Sequence, residues 1–82
     1  MYFVYSVYNK KHNKTYIGQT KDLEERIRLH NKRVFKGYTS RFDGSWKLIY
    51  SESKETRTEA LRRETQLKSY QGRQFIKNFV PG

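Results

Sequence analysis

The sequence FVYSVYNKKHNKTYIGQTKDLEERIRLH, residues 3–30, is the stretch that decides the fold. Its first part, Phe3 to Tyr8, is dominated by aromatic residues and valine, a composition that favours a β-strand. The polar run Asn9 to Lys14 is typical of a hairpin loop, and Thr15 to Gln19 is predicted to be the returning strand. Gly18 inside that strand indicates that another backbone or a ligand approaches it closely.

The end of the same stretch predicts an amphipathic helix. Asp22 is a favourable N-cap residue, and Glu25 three positions later supplies the second half of a capping box. Arg26 and His30 are four residues apart, so we expect both on one face, turned toward the sheet. Arg28 falls on the opposite side of this helix and is expected to face water.

The remaining chain predicts one more strand and two more helices. Trp46 to Glu52 reads as the third strand, with Trp46, Leu48 and Tyr50 on one face. A second helix is expected from a cap at Thr56 to about residue 70, closed by a left-handed cap at Gly72. A last short helix around Phe75, Ile76 and Phe79 follows. The order β-β-α-β-α-α predicts a single α+β domain over residues 1–82.

Charge is the strongest bulk property of the chain. It has 18 Lys and Arg against 8 Asp and Glu, a net charge of +10, together with seven tyrosines and five phenylalanines. Basic groups displace counterions from phosphates and aromatic rings can stack on bases, so this composition predicts contact with DNA. The alternative is a basic surface that serves solubility alone.

The composition also excludes several classes of protein. There are no cysteines, which excludes a disulfide scaffold and a thiolate zinc site. No apolar run approaches the roughly 18 residues of a membrane span, and no signal-peptide pattern is visible. We therefore expect a cytoplasmic protein with no membrane contact.

Five residues are candidates for chemistry. Glu64 follows Ala60 by one helical turn, at the edge of a predicted buried face, where a carboxylate needs a cation or a metal; an ordinary ion pair with Arg63 or Arg26 is the alternative. Arg26 could stabilise phosphate charge or form a structural salt bridge. Two tyrosines on neighbouring strands could act on a substrate or simply pack together. The candidates are Tyr5, Tyr16, Arg26, His30 and Glu64.

At these residues the chain resembles the GIY-YIG nuclease family. Tyr16-Ile17-Gly18 matches the second half of the family name, and Phe3-Val4-Tyr5 stands where the first half belongs, with Phe3 in place of glycine. The run from Thr20 through Arg26 to His30 is similar to the family's first helix, and Ala60 to Glu64 is similar to the helix that carries its glutamate. Tyr38-Thr39-Ser40-Arg41 and the third strand further resemble a compact bacterial subgroup in which the domain stands alone.

The resemblance implies a three-stranded antiparallel sheet flanked by helices and hydrolysis of DNA with one divalent ion, Mg²⁺ or Mn²⁺. It implies that Glu64 is the metal ligand and that Arg26 stabilises the transition state. Tyr5 and Tyr16 share water activation and phosphate positioning, and His30 assists them. Asn78 is a candidate for the family's late asparagine.

Two rival functions stay open at this point. One is a nucleic-acid-binding module that keeps the fold but does not cut, and the other is a small basic protein that docks on ribosomal RNA or a protein. Neither rival requires Glu64. Specificity has to come from DNA shape or a protein partner, or be absent, and the sequence does not fix the oligomeric state. The expected DNA contacts are Lys21, Arg28, Lys36, Arg41 and Lys68.

Overall fold

The computed structural model describes residues 1–32 and 39–81, apart from the side chain of Ser40. It contains a three-stranded antiparallel sheet of order β2-β1-β3 and three helices in the order β-β-α-β-α-α, which confirms the predicted α+β fold. The strands are β1 (Tyr2–Asn9), β2 (Lys14–Thr20) and β3 (Trp46–Lys54); the helices are α1 (Leu23–Asn31), α2 (Arg57–Leu67) and α3 (Tyr70–Lys77), with a 3-10 turn at Thr39–Arg41.

The central strand β1 is covered on both faces. Tyr5 and Val7 point to the face that α1 covers, where they pack with Trp46. Val4 points the other way and packs in a second cluster beneath α2 and α3. Alternate residues of a strand face opposite sides, so one strand supplies both hydrophobic clusters. The members of the second cluster are Val4, Ile17, Ala60, Leu67 and Ile76.

The helix starts follow the predicted capping chemistry. The side chain of Asp22 accepts a hydrogen bond from the backbone N–H of Glu25, and that of Thr56 accepts one from Glu59. Each bond satisfies a backbone donor that has no partner within its own helix. Both predicted N-caps are therefore confirmed.

The predicted left-handed cap at Gly72 is wrong. Helix α2 ends at Leu67, and Ser69 caps a new helix by accepting a hydrogen bond from the Gly72 N–H. Gly72 thus lies within α3, and a Cβ added to it would stand 2.2 Å from the carbonyl oxygen of Gln66. The glycine is needed for close contact between the two helices and not for a positive φ.

The predicted face of β3 is wrong as well. A register shift opposite Ser6 and Val7 pairs Ser6 with Tyr50 but Val7 with Leu48. The extra residue reverses the alternation, as a β-bulge does. Trp46 consequently packs in the α1 cluster, whereas Tyr50 packs on the α2–α3 side against Phe75 and Phe79.

Candidate active site

A chain of three buried polar side chains forms the centre of the candidate site. The Tyr5 hydroxyl lies 2.7 Å from Nε2 of His30, and Nδ1 of His30 lies 2.9 Å from Oγ1 of Thr39. Tyr5, His30 and Thr39 are 1%, 3% and 2% exposed. A neutral imidazole donates from one nitrogen and accepts at the other, so the two hydroxyls together can fix its tautomer.

Hydrogen bonds of two asparagine side chains position the segment that carries Thr39. Asn31, the last residue of α1, accepts a hydrogen bond from the Trp46 backbone N–H and donates one to the Trp46 carbonyl. Three residues before Trp46, the backbone carbonyl of Asp43 accepts a hydrogen bond from the side chain of Asn9 in β1. These contacts hold residues 39–46 against the end of α1 and against β1, so that Thr39 meets His30.

Glycine at position 18 makes room for the tyrosine. Gly18 pairs with Tyr5 across the β1–β2 ladder, and a Cβ at Gly18 would stand 2.9 Å from the Tyr5 hydroxyl and 3.0 Å from the Tyr16 ring. Gly18 is thus crowded as expected, but by two tyrosine side chains and not by the backbone or ligand that the sequence suggested. The ring centroids of Tyr5 and Tyr16 are 6.4 Å apart, and that of Tyr16 lies 5.1 Å from His30.

Burial and neighbouring charges shift the pKa values of two groups in the site. Burial raises the pKa of the Tyr5 hydroxyl; Tyr16 and the Glu64 carboxylate raise it further, while the Arg26 guanidinium opposes them. Burial, with a smaller contribution from Arg26, lowers the pKa of His30 to about 4. In the folded protein at neutral pH, Tyr5 thus keeps its proton and His30 is uncharged.

The two arginines of α1 occupy different environments. Arg26 is partly buried beside Tyr5 and His30, whereas Arg28 is exposed. Arg28 forms a two-pronged ion pair with Glu25 on the outer side of the helix. Helix α1 therefore directs one cation, Arg26, into the site and a second, Arg28, into water, as its periodicity predicts.

Glu64 reaches the site from α2, on the other layer of the fold. Its side chain is 18% exposed, and one carboxylate oxygen accepts a hydrogen bond from the Lys68 ammonium at 2.8 Å. The partner is Lys68, one turn later, and not the Arg63 or Arg26 that the sequence suggested. Arg63 instead pairs with Glu52. The charge of Glu64 is near enough to raise the pKa of Tyr5.

The donor set fits a weakly held hard cation. Among the described residues there is no group of three or more His, Asp or Glu side chains that could hold a metal. Glu64 supplies one carboxylate, close enough to raise the pKa of Tyr5. Mg²⁺ accepts such a site, because it prefers oxygen ligands, keeps several waters and takes the others from substrate phosphate.

The predicted DNA contacts lie at the surface. Lys21 stands over the ring of Tyr2, with 5.2 Å between the ammonium and the ring centroid. Arg41 is exposed at the end of the 3-10 turn, and Lys68 is half exposed above Glu64. Lys36 lies outside the described residues. Asn78, at the end of α3, is exposed.

Sequence reasoning missed Thr39 as a member of the site. A single threonine in a polar loop is ordinary, and only the fold shows that it meets His30. Asn31 was missed for the same reason. No helix in the described ranges is long and apolar enough to cross a membrane.

Comparison with known proteins shows the family of the chain. The family model described as the GIY-YIG catalytic domain matches residues 1–77. UPF0213 protein SSP2268 of Staphylococcus saprophyticus is 33% identical over 72 residues, which cover 88% of this chain and 87% of that protein. UPF0213 protein SERP0126 of Staphylococcus epidermidis is 34% identical over 67 residues, covering 82% and 80%.

A solved structure is similar as well. The solution NMR structure of UPF0213 protein BH0048 from Bacillus halodurans superposes with a TM-score of 0.55 at 27% identity, covering all of this chain and 88% of that one. The names of these relatives state no activity. The matched residues 1–77 include every member of the site, and the chain therefore belongs to the GIY-YIG family of nuclease domains.

Proposed function

We propose that this protein is a divalent-metal-dependent endonuclease that hydrolyses phosphodiester bonds of DNA. The observation that carries the proposal is the gathering of Tyr16, Arg26 and Glu64 around the buried Tyr5–His30 pair, where each of the three changes the pKa of Tyr5. A binding module needs surface cations, but it does not need a tyrosine–histidine hydrogen bond beside a carboxylate. Perturbed titratable groups of this kind are typical of catalytic sites.

Tyr5 and His30 are suited to activating the attacking water. With its own proton donated to Nε2 of an uncharged His30, the Tyr5 hydroxyl keeps its oxygen lone pairs free to accept a hydrogen bond from that water and to orient it toward the phosphate. This role requires the tautomer in which Nδ1–H donates to the Thr39 hydroxyl, 2.9 Å away, and Nε2 is the acceptor. Tyr16 lies beside this pair and is assigned to phosphate positioning.

The charged residues are suited to the phosphate. Arg26 is partly buried, so its guanidinium can stabilise the charge that grows on the phosphoryl oxygens with little screening by water. Glu64 would hold Mg²⁺ or Mn²⁺. When bound, that ion would polarise a phosphoryl oxygen and stabilise the leaving oxygen. As long as no ion is bound, the Lys68 ammonium neutralises the Glu64 carboxylate.

The substitution Glu64→Gln tests the proposal. It preserves size while removing the charge that attracts a hard cation. Lys68, which pairs with Glu64, is half exposed. Loss of this ion pair therefore leaves no buried charge unpaired, and the melting temperature should change little. Affinity for DNA, measured in EDTA, should be retained or rise. Nicking of a supercoiled plasmid in Mg²⁺ or Mn²⁺ should be lost.

The control is Glu55→Gln, which removes the same charge from an exposed position just before α2. This variant should nick like the wild type. A Glu64→Gln protein that still cuts would overturn the metal assignment. Wild-type protein that binds DNA tightly and cuts none in either metal would favour the binding module.

A further inference from the structure

A basic cleft extends from the candidate site along the start of α3. It lies between β2 and α3 and has a volume of about 670 Å³. Lys68 lines the cleft and pairs with Glu64, so the cleft adjoins the proposed metal ligand. Its far part, around α3, takes no part in the chemistry described above.

The charges of the cleft are of one sign. The described lining contains Lys14, Lys68, Arg73 and Lys77 and no aspartate or glutamate. Only Lys68 of these four takes part in an ion pair among the described residues. Arg73 is held in position because its Nε donates to the Lys68 carbonyl at 3.1 Å. A concave surface of this kind concentrates anions.

An exposed aromatic ring accompanies these cations. Tyr70, the first residue of α3, also lines the cleft, and 77% of its surface is accessible to water. The exposed rings of Phe75 and Phe79 pack on Tyr50; Tyr70 has no such ring partner among the described residues. Cations that follow a backbone beside a ring that can stack on a base are the features of single-stranded nucleic-acid sites.

We propose that this cleft binds an unpaired segment of the DNA substrate, with one base stacked on Tyr70 and neighbouring phosphates on Arg73 and Lys77. The inference rests on the proposed function and refines its substrate class to DNA with a single-stranded region beside the cleaved bond. The volume of the cleft is that of a pocket for one small ligand, which suits a nucleotide or two of a single strand.

The test measures binding in EDTA, so that cleavage does not enter the result. Fluorescence anisotropy compares a labelled oligothymidylate with a duplex of equal length, for the wild type and for Tyr70→Ala. Stacking on one aromatic ring corresponds to a roughly five- to 100-fold loss of affinity for the single strand. Duplex affinity should change less than about twofold, since the duplex is not expected to reach Tyr70.

A charge variant tests the phosphate contacts separately. Arg73→Ala/Lys77→Ala should reduce the slope of log affinity against log salt for the oligothymidylate by about 1.4, or roughly 0.7 for each lost phosphate contact. The matched control is Lys47→Ala/Arg57→Ala, which removes two exposed cations that do not line the cleft. Melting temperatures of all variants verify that they fold.

Two outcomes overturn the inference. If the control variant weakens binding of the oligothymidylate as much as the cleft variant does, the effect comes from net charge. If the Tyr70 and cleft variants bind the oligothymidylate like the wild type, the cleft has another occupant, such as a protein. Failure of the proposed function is a separate result, because it would appear as a protein that binds but does not cut.

Discussion

The ring of Tyr5 lies directly against Gly18 on the neighbouring strand, with room for a hydrogen atom but not for a methyl group. A Cβ at position 18 would stand 2.9 Å from the Tyr5 hydroxyl. That hydroxyl is held by His30 and is buried, so it has little freedom to move aside. The glycine thereby sets the position of the hydroxyl to which we assign water activation.

Gly18→Ala should displace the Tyr5 hydroxyl and lengthen its contact with His30. We expect destabilisation of about 1–3 kcal/mol, as for other overpacked cores, together with a loss of cleavage that exceeds the loss of folded protein. Urea denaturation and plasmid nicking measure the two effects.

The comparison for this prediction is Gly72→Ala, whose Cβ would meet the backbone of Gln66 and Leu67, away from Tyr5. That variant should be less stable still, yet its folded fraction should cut normally. Normal nicking by Gly18→Ala would show that the hydroxyl position is not critical.

Arg26→Ala should lower the turnover number by roughly two orders of magnitude, as the loss of a transition-state donor does. Arg28→Ala should act mainly on DNA affinity, because Arg28 is exposed and paired with Glu25. Single-turnover cleavage at saturating DNA separates the two effects. Equal losses of turnover from both substitutions would mean that Arg26 has no special role.

Thr39→Val should reduce turnover about tenfold, because valine keeps the shape of threonine but removes the hydrogen-bond acceptor for His30 Nδ1. DNA affinity should be unchanged, since Thr39 is buried. Thr39→Ser restores the hydroxyl and should restore turnover. A purely structural role would instead give two variants with parallel losses of stability and unchanged turnover per folded molecule.

The free energy of unfolding should fall as the pH drops from about 6.5 to about 4. The pKa of His30 is about 4 in the folded protein against an ordinary value of 6.5, so in this window the unfolded chain binds a proton that the folded one does not. Above pH 6.5 His30 is uncharged in both states, and the full free energy of unfolding is retained. Between pH 6.5 and 4 the free energy of unfolding changes by at most about 1.4 kcal/mol per pH unit because of His30.

Urea denaturation at several pH values measures this slope. His30→Gln should reduce this slope. An unchanged slope in His30→Gln would contradict the burial of an uncharged imidazole.

The elements of the fold could be predicted because their signals are local. Asp22 and Thr56 mark helix starts by a bond that spans three residues, and the composition of Phe3 to Tyr8 marks a strand. Arg26 and His30 could be assigned to one face because four residues of helix bring them there. Glu64 stood out as a carboxylate on a predicted apolar face.

The errors concern contacts between elements. The bulge that separates Trp46 from Tyr50 depends on pairing with β1, which the sequence of β3 does not record. Gly72 looked like a helix end, but its role is contact with Gln66 and Leu67 of another helix. Lys68 and not an arginine pairs with Glu64, because the direction of each side chain decides between neighbouring cations.

The placement of Tyr5 on the central strand has a consequence for protein synthesis. β1 is translated first, but the α1 layer, β3 and α2 that enclose it come from residues 23–67. A nascent chain that has formed only the β1–β2 hairpin presents Tyr5 and Tyr16 without His30, Thr39 or Glu64. The candidate site is therefore complete only after α2 has left the ribosome, and partly made chains lack the arrangement to which we assign cleavage.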